Sequence, residues 1–269
     1  MDERVSQLVP EPFHARGNMF SLHGRVALVT GSSQGLGLEI ARGFADAGAT
    51  VIIQGRNAEK AEQACKALVD EGHDAYWQAF DIADGLVRSM AFDEIRQRHG
   101  RLDILVNNAG IRARRPLVDL SERDILTLIN TNLLAAIEMS RLATELMREH
   151  SYGRIINITS VLGRLVRRGD FIYPISKQAL ETATKVIAVE MGRDGILCNA
   201  IAPGTFATEF NQELISKPEN IERMRSRNPL QRWGKPSEIV GPALFLASEA
   251  SSYVNGQTIV LDGGFSLMF

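Results

Sequence analysis

Apolar residues along the chain form short β-branched runs that alternate with longer segments of helical periodicity. Arg25–Thr30 is a near-continuous apolar run, as expected of a strand buried on both faces. Gly35–Ala47 follows with helical periodicity and ends at Gly48. The same pattern predicts further strands at Thr50–Gln54, Asp74–Phe80, Leu102–Val106, Arg154–Thr159, Gly195–Ile201 and Thr258–Leu261. Further helices are predicted at Ala58–Glu71, at Asp84–His99, within Ser121–His150, from about Pro174 to Met191, and at Pro236–Ala247.

This alternation of strands and helices with short connections indicates right-handed βαβ crossovers. No change of composition divides the chain. We therefore predict an α/β fold, a single-domain doubly wound (Rossmann-type) parallel sheet of about seven strands with helices on both faces. It is expected to span residues 19–269, after a flexible N-terminal arm at residues 1–18. Because such sheets bind ligands outside the carboxyl ends of their strands, we expect any chemistry there.

Composition narrows the class of protein. The chain has 269 residues, 45% of them hydrophobic and 23% charged, as in ordinary globular proteins. A formal net charge of −2 gives no reason to expect nucleic acid or an acidic membrane as partner. The chain has only two cysteines, its first segment is polar and lacks a signal-peptide core, and no run reaches the ~18 apolar residues of a membrane span. We therefore predict a cytoplasmic protein without disulfides.

A glycine-rich loop, Thr30–Gly37, directly follows the first predicted strand with the pattern T-G-x-x-x-G-x-G. Glycines let the backbone approach a pyrophosphate, which binds at the N-terminus of the following helix. The same residues fit G-x-S-x-G, with Ser33 as the nucleophile of a serine hydrolase. That chemistry needs a late histidine, and none of the five histidines follows residue 150. A glycine-rich turn that binds nothing is a third interpretation.

The end of the second strand suggests which nicotinamide cofactor would bind. Gln54–Asn57 contains no carboxylate to bind a ribose 2′-hydroxyl, but it contains Arg56. An arginine at this place can pair with a 2′-phosphate, which favours NADP over NAD. Gln34 in the loop supplies no second positive charge, so NAD stays possible. The alternative is that Arg56 is a solvated surface arginine.

A tyrosine and a lysine are spaced one helical turn apart in Tyr173–Lys177. If a helix begins at Pro174, Tyr173 and Lys177 share one face. A free phenol titrates near ~10. A cation about 4 Å away, at an effective dielectric constant of about 20, stabilises the phenolate by roughly 4 kcal/mol before desolvation is subtracted. Lys177 is therefore expected to lower the pKa of Tyr173, although this spacing also occurs by chance on helix surfaces.

Several motifs stand in a fixed order along the chain. They are Thr30–Gly37, Asn107–Gly110, Asn132, Ser160, Tyr173, Lys177 and Pro203–Gly204. Their order and spacing closely resemble the short-chain dehydrogenase/reductase family over about residues 20–269. The resemblance implies that Tyr173 is the catalytic acid/base and that Lys177 lowers its pKa and holds the nicotinamide ribose. It also implies that Ser160 bonds the substrate carbonyl and that Asn132 anchors a water in a proton relay.

The resemblance further implies a set of cofactor-binding residues. It comprises Gly31, Ser32, Ser33, Gln34, Gly35, Leu36 and Gly37 at the pyrophosphate, Asp81 and Ile82 at the adenine, Asn108, Ala109 and Gly110 on the adenosine side, and Pro203, Gly204, Phe206 (through its backbone) and Thr208 at the nicotinamide, with Tyr173 and Lys177 at the ribose. The implied cofactor is NADP, with NAD possible, and the implied assembly is a homotetramer or homodimer. No metal is expected, since no His/Cys/Asp cluster has ligand spacing.

Two basic clusters near the expected site bear on the substrate: Arg112, Arg114 and Arg115, and Arg164, Arg167 and Arg168. Arginines there can bind a carboxylate bidentately, although each is also typical of a solvated loop. Within the family, the chain is similar to gluconate 5-dehydrogenases at Met19–Leu22, Asn108–Pro116, Pro229–Gly234 and Val254–Gln257, and differs from them at Val161–Arg164. This resemblance implies exchange between gluconate and 5-ketogluconate, with Ser160 at the ketone. Among the arginines, we predict that Arg114 binds the carboxylate. The alternatives are a 3-oxoacyl-[acyl carrier protein] reductase and a non-catalytic nucleotide-binding protein.

Overall fold

One sheet organises the part of the chain that the structure, a computed structural model, describes, residues 18–268. Its seven strands are all parallel and lie in the order β3-β2-β1-β4-β5-β6-β7. They are β1 (Val26–Val29), β2 (Thr50–Gly55), β3 (Ala75–Ala79), β4 (Ile104–Asn107), β5 (Gly153–Ile158), β6 (Ile196–Pro203) and β7 (Thr258–Leu261). The predicted doubly wound fold is confirmed. Of the predicted N-terminal arm, residues 1–18, all but Asn18 lie outside the described residues.

Helices cover both faces of this sheet. They are α1 (Gly35–Asp46), α2 (Ala58–Asp70), α3 (Gly85–His99), α4 (Glu122–Ile129), α5 (Ala135–Arg148), α6 (Ile172–Met191), α7 (Gln212–Ser216), α8 (Pro218–Arg227) and α9 (Val240–Ala247). Side chains of β1 alternate between the two faces: Ala27 and Val29 pack with α1, α2 and α9, whereas Val26 and Leu28 pack with α3, α5 and α6. Among the described residues, no helix has the length and apolar character to cross a bilayer.

The strand order reverses at β1, which fixes where a ligand can bind. Val29 at the end of β1 pairs with Ile53 of β2 on one side and with Val106 of β4 on the other. The loops after β1 and β4 therefore diverge from adjacent carboxyl ends and leave a crevice between them.

The structure differs from the sequence prediction at several elements. Pro236–Ile239 of the predicted helix Pro236–Ala247 is a 3₁₀ turn, and β4 begins at Ile104 instead of Leu102. The helix predicted within Ser121–His150 is interrupted by a π-helical segment, Asn130–Leu134, between α4 and α5. Helices α7 and α8 were not predicted, because α7 has only 5 residues and half of the residues of α8 are charged. Helix α6 begins at Ile172, two residues before the predicted start at Pro174.

Candidate active site

A cavity of about 780 Å³ lies outside the carboxyl ends of the strands, where the fold predicts a ligand site. Most of the predicted site residues line it: Gly31, Ser33, Gln34, Gly35, Leu36, Arg56, Asp81, Ile82, Asn108, Ala109, Gly110, Arg114, Ser160, Tyr173, Lys177, Pro203, Gly204 and Thr208. Four others, Ser32, Gly37, Asn132 and Phe206, lie behind its walls. The topology thus brings together residues from the loops after six strands, β1 to β6, and from α6.

The loop after β1 has the conformation of an anion cradle. Gly31 and Gly35 both have φ of +62°, which other residues rarely adopt. A Cβ on Gly31 would lie 2.9 Å from the Ala109 Cα. The N-cap of α1, Gln34, makes no side-chain capping bond, and the first turn carries no acidic residue. Backbone N–H groups at this helix end therefore remain suited to a phosphate group, so the loop fits a dinucleotide.

Two predicted members of the loop support it from behind. The Ser32 hydroxyl donates to the Val29 carbonyl at 2.6 Å and accepts from the Gln54 amide at 3.0 Å, and the residue is fully buried. A Cβ on Gly37 would lie 2.5 Å from the Asn108 Nδ2. The prediction that Ser32 lines the pyrophosphate is therefore corrected: its side chain is taken up by the backbone. Gly37 permits close packing instead of lining the cavity.

Asn108 ties the loop after β1 to the loop after β4. Its Nδ2 donates to the carbonyl oxygens of Thr30 at 2.9 Å and Gly31 at 3.1 Å. In return, the Thr30 hydroxyl accepts from the amides of Asn108 at 2.9 Å and Ala109 at 3.0 Å. Gln54 adds a further support, because its Oε1 accepts from the Gly31 amide at 3.0 Å. The sequence did not indicate these roles of Thr30 and Gln54, which depend on side-chain placement across strands.

The end of the cavity near β2 contains two cations. Arg56 lines the cavity and lies 3.9 Å from the Asp81 carboxylate. Lys60 also lines it, and its Nζ donates to the Gln34 Oε1 at 3.3 Å. Gln34 supplies no positive charge, as predicted, but Lys60 adds a second cation that the sequence pattern did not indicate. Asn57 caps α2 by accepting from the Lys60 amide at 2.9 Å, which places Lys60 in the first turn of the helix after β2.

The catalytic residues predicted from the motif order converge at the other end. Tyr173 and Lys177 lie one turn apart on α6, and the Ser160 side chain lies beside the phenol and acts to lower its pKa. The Lys177 Nζ donates to the Ile158 carbonyl at 2.8 Å and lies 5.9 Å from the centre of the tyrosine ring. Burial lowers the pKa of Lys177 to about 8.

The expected lowering of the Tyr173 pKa by Lys177 is not what the structure gives. Burial raises this pKa above its usual value, and the largest opposing effect comes from the Arg112 guanidinium, followed by the Ser160 side chain. The Arg112 Cζ lies 4.7 Å from the ring centre. The physical reason is that Lys177 is itself desolvated and bound to a backbone carbonyl, whereas Arg112 stacks on the phenol.

Asn132 lies in the π-helical segment and is fully buried. Its Oδ1 accepts from the Ile111 amide at 2.8 Å, and its Nδ2 donates to the Ile111 carbonyl at 2.9 Å and to the Ser176 hydroxyl at 3.2 Å. Ser176 in turn donates to the Tyr173 carbonyl at 2.8 Å. Asn132 therefore links the loop after β4 to the first turn of α6. Its predicted part in anchoring a water stays a prediction.

Phe206 is buried and does not line the cavity. Its backbone bridges to Gly234, where an added Cβ would lie 2.8 Å from the Phe206 ring. The ring thus holds the loop after β6 in place, while Thr208 lines the cavity. A backbone role for Phe206 toward the nicotinamide stays a prediction.

The six arginines of the basic clusters have different surroundings. Three are paired with carboxylates: Arg112 with Asp170, Arg115 with Asp124 at 2.9 Å, and Arg164 with Glu181 at 2.6 Å. Arg114 and Arg167 line the cavity, whereas Arg168 does not. The wall after Ser160 is apolar and includes Leu162, Leu165 and Val166. The substrate end therefore combines guanidinium groups with an apolar wall.

The competing chemistries find little support in this site. Ser33 lines the cavity, but none of the four histidines within residues 18–268 does, so a serine hydrolase would lack its base there. In the same range, no group of three or more His, Cys, Asp or Glu side chains could hold a metal ion.

Comparison with known proteins agrees with this geometry. The family model described as enoyl-(acyl carrier protein) reductase matches residues 31–266. Gluconate 5-dehydrogenase of Gluconobacter oxydans (strain 621H) is 40% identical over 250 residues, covering 93% of this chain and 98% of that protein. A gluconate 5-dehydrogenase of Burkholderia cenocepacia J2315, solved with NADP and tartrate, superposes with a TM-score of 0.90 at 41% identity, covering 93% of this chain and 98% of that one.

A further structure matches at lower identity. It is a 3-oxoacyl (acyl-carrier-protein) reductase from Agrobacterium tumefaciens C58 with NADP bound, with a TM-score of 0.86 and 33% identity, covering 91% of this chain and 95% of that one.

Proposed function

Because the chain belongs to the short-chain dehydrogenase/reductase family, we propose that it transfers a hydride between NADP(H) and the secondary alcohol or ketone of a sugar acid, with gluconate and 5-ketogluconate as the substrate pair. One catalytic domain, residues 19–269, would carry the whole reaction. The observation that carries the proposal is that Ser160, Tyr173 and Arg114 line one cavity together with the glycine loop.

The residues that would hold the cofactor are those of the cradle and the two cations. The N-terminus of α1 and its glycines suit the pyrophosphate. Arg56 and Lys60 together suit the 2′-phosphate of NADP, and a single positive charge there would discriminate less against NAD. When bound, the nicotinamide supplies or accepts the hydride.

The side chains at the end of the cavity opposite Arg56 and Lys60 transfer the proton. Tyr173 donates a proton to the carbonyl oxygen during reduction and removes it from the hydroxyl during oxidation. Ser160, which lines the cavity beside the phenol, holds the same substrate oxygen and stabilises the charge that develops on it. Lys177, buried beside them and bonded to the Ile158 carbonyl, would hold the nicotinamide ribose. Arg114 binds the substrate carboxylate and so orients the carbon that reacts.

A substrate panel run with both NADP and NAD tests this proposal. We expect turnover of gluconate with NADP and of 5-ketogluconate with NADPH, with lower kcat/KM for the NAD forms. Arg114→Met should raise KM for the sugar acid while leaving NADPH binding unchanged. Turnover of acetoacetyl thioesters, together with none of either sugar acid, would overturn the assignment of substrate.

A 3-oxoacyl-[acyl carrier protein] reductase is the second candidate. The apolar wall of Leu162, Leu165 and Val166 favours it, because an acyl chain would bury these side chains and a sugar acid would not. The arginines near the cavity would then face an acidic carrier protein. The thioester arm of the same panel distinguishes the two.

The proposal extends to assembly and location. Ile175, Val186 and Val189 of α6 are 47%, 51% and 82% exposed and lie on one stripe of the helix. Such a stripe suits a contact between copies, so we propose a homotetramer or homodimer, which light scattering after gel filtration would measure. Two free, buried cysteines agree with a cytoplasmic location, which cell fractionation would test.

A further inference from the structure

Arg112 and Asp170 form a buried ion pair beside Tyr173, the residue to which the proposed function assigns proton transfer. The Arg112 side chain is 15% exposed and that of Asp170 is 0% exposed. Both the Nε, at 3.0 Å, and the Nη2 of Arg112 donate to the same oxygen, Oδ2. The other carboxylate oxygen, Oδ1, is buried and has no hydrogen-bond partner among the described residues. The charge of Asp170 is thus balanced through Arg112.

The pair connects two segments of the site. Arg112 belongs to the loop after β4, and Asp170 lies three residues before Tyr173 at the start of α6. A second contact holds the same two segments, because the Phe171 amide donates to the Arg115 carbonyl at 3.3 Å. The guanidinium of Arg112 is consequently fixed over the phenol ring, with its Cζ 4.7 Å from the ring centre. Arg112 also lines the cavity.

We propose that Arg112, anchored by Asp170, is a positioning residue of the reaction: it fixes the ring of Tyr173 and stabilises the phenolate form of that side chain. This inference rests on the proposed function through the role given to Tyr173. A cation stacked on the ring acts in both protonation states, but its attraction to the phenolate is stronger. Arg112 then contacts the phenol of Tyr173, whereas Arg114 binds the substrate carboxylate.

Other charged groups also face the phenol of Tyr173. Together with Arg112 they decide whether a substitution raises or lowers the pKa of Tyr173. Arg114 comes from the loop after β4, Asp170 precedes α6, and Lys177 lies on α6 itself. Burial raises the pKa of Tyr173; Arg112 lowers it more than Asp170 raises it. Loss of Arg112 should therefore raise this pKa, and loss of both partners should raise it by a smaller amount.

The test is a pH titration followed by NMR on protein with ¹³C at the Cζ of tyrosine. The chain has four tyrosines, so each gives a separate signal that its Phe variant assigns. In Arg112→Gln we expect the Tyr173 titration to move to higher pH by about 1 unit or more. Arg112→Lys, which keeps the charge, should restore most of the shift. An unchanged Tyr173 titration in Arg112→Gln would overturn the proposal.

A second variant covers the case in which Arg112→Gln does not fold, because that change leaves Asp170 buried without its partner. Arg112→Gln with Asp170→Asn removes both charges and keeps two groups that can hydrogen-bond. Here we expect a smaller upward shift of the Tyr173 titration. A downward shift, or none, would contradict the proposal.

Kinetics give an independent readout. Alcohol oxidation needs the phenolate, so kcat/KM for oxidation rises with pH through the apparent pKa of Tyr173. In Arg112→Gln this rise should occur at higher pH, by the same amount as the NMR shift. The matched control is Arg164→Gln, which breaks the pair with Glu181 and does not touch Tyr173; in this variant the pH of the rise should not change. If the sugar acids are not turned over but the NMR shift appears, the substrate assignment fails and the role of Arg112 stands.

Discussion

Two tyrosines lie beneath arginines at opposite edges of the same sheet, but only one of the two lines the cavity. Tyr173 lies at the carboxyl edge under Arg112. Tyr152 lies at the amino edge, directly before β5, with the Cζ of Arg25 3.5 Å and that of Arg154 4.3 Å from its ring centre. Burial raises the pKa of both phenols, and in both cases the stacked arginines oppose it. By charge and stacking alone, the two environments are alike.

The difference lies in what surrounds the arginines and the hydroxyl. The amino-edge cluster consists of Arg25, Arg101, Asp103, Tyr152, Arg154 and Glu249. Asp103 accepts from Arg25 at 3.2 Å and from Arg101 at 2.6 Å, and the Tyr152 hydroxyl donates to the Ala247 carbonyl at 3.4 Å. None of these residues lines the cavity. A stacked cation is therefore common to both tyrosines, whereas Tyr173 alone of the two lines the cavity, beside Ser160, and is the one for which we propose proton transfer.

Exchanging each tyrosine for phenylalanine should give the largest contrast. Tyr173→Phe removes the proton donor, so we expect kcat to fall about 10³-fold or more while NADPH affinity, measured by fluorescence, changes little. Tyr152→Phe should leave kcat unchanged and cost no more than about 1 kcal/mol of the free energy of unfolding. Near-normal turnover by Tyr173→Phe would remove the basis of the comparison.

A substitution of Asp103, at the amino edge, should change stability without changing catalysis. Asp103→Ala leaves Arg25 and Arg101 without their shared buried carboxylate, so we expect a loss of about 3 kcal/mol of the free energy of unfolding in urea. The kcat of the folded protein should not change. The exposed Asp46→Ala serves as control, with an expected change within about 0.5 kcal/mol. A fall in kcat for Asp103→Ala would show that the two edges are coupled.

Lys177 allows function and stability to be separated at the carboxyl edge. Its pKa is lowered from 10.5 to about 8 by burial, so the folded protein binds fewer protons than the unfolded chain between these values. The stability contribution of Lys177 therefore rises with pH from about 8 to 10.5 and is least favourable below 8. We expect Lys177→Met to lower kcat but to be more stable at pH 7, by up to about 3 kcal/mol. Denaturation at pH 7 and pH 10 checks this, and a gain as large at pH 10 would contradict it.

The smallest expected effect concerns the cations near β2. Arg56→Ala combined with Lys60→Ala should weaken NADPH binding about 10- to 100-fold and leave NADH binding nearly unchanged, because NADH lacks the 2′-phosphate. Arg42→Ala, an exposed arginine on α1 paired with Glu71, is the control. Equal losses for both cofactors would place the 2′-phosphate elsewhere.

Much of the fold and most of the candidate catalytic residues could be predicted from the sequence, for a physical reason. Strands such as Val26–Val29 are buried on both faces and appear as apolar runs, and the motif residues occur in fixed order in the chain. What could not be foreseen depends on burial and on pairs far apart in sequence. The raised pKa of Tyr173, the Arg112–Asp170 pair and the bonding of Lys60 to Gln34 each require the folded distances. The interruption of the helix at Asn132 likewise left no trace in the apolar periodicity.

The bonding of Asn108 to Thr30 has a consequence for how such a protein can be re-engineered. These two residues fix the chain up to Ala109, while the substrate-side arginines begin only three residues later, at Arg112. The segment 111–116 thus leaves a rigid anchor that already belongs to the cofactor cradle. A designer could keep Arg112, which contacts Tyr173, and exchange the side chains of residues 113–116 to select for new acids, without changing the residues that hold the nucleotide.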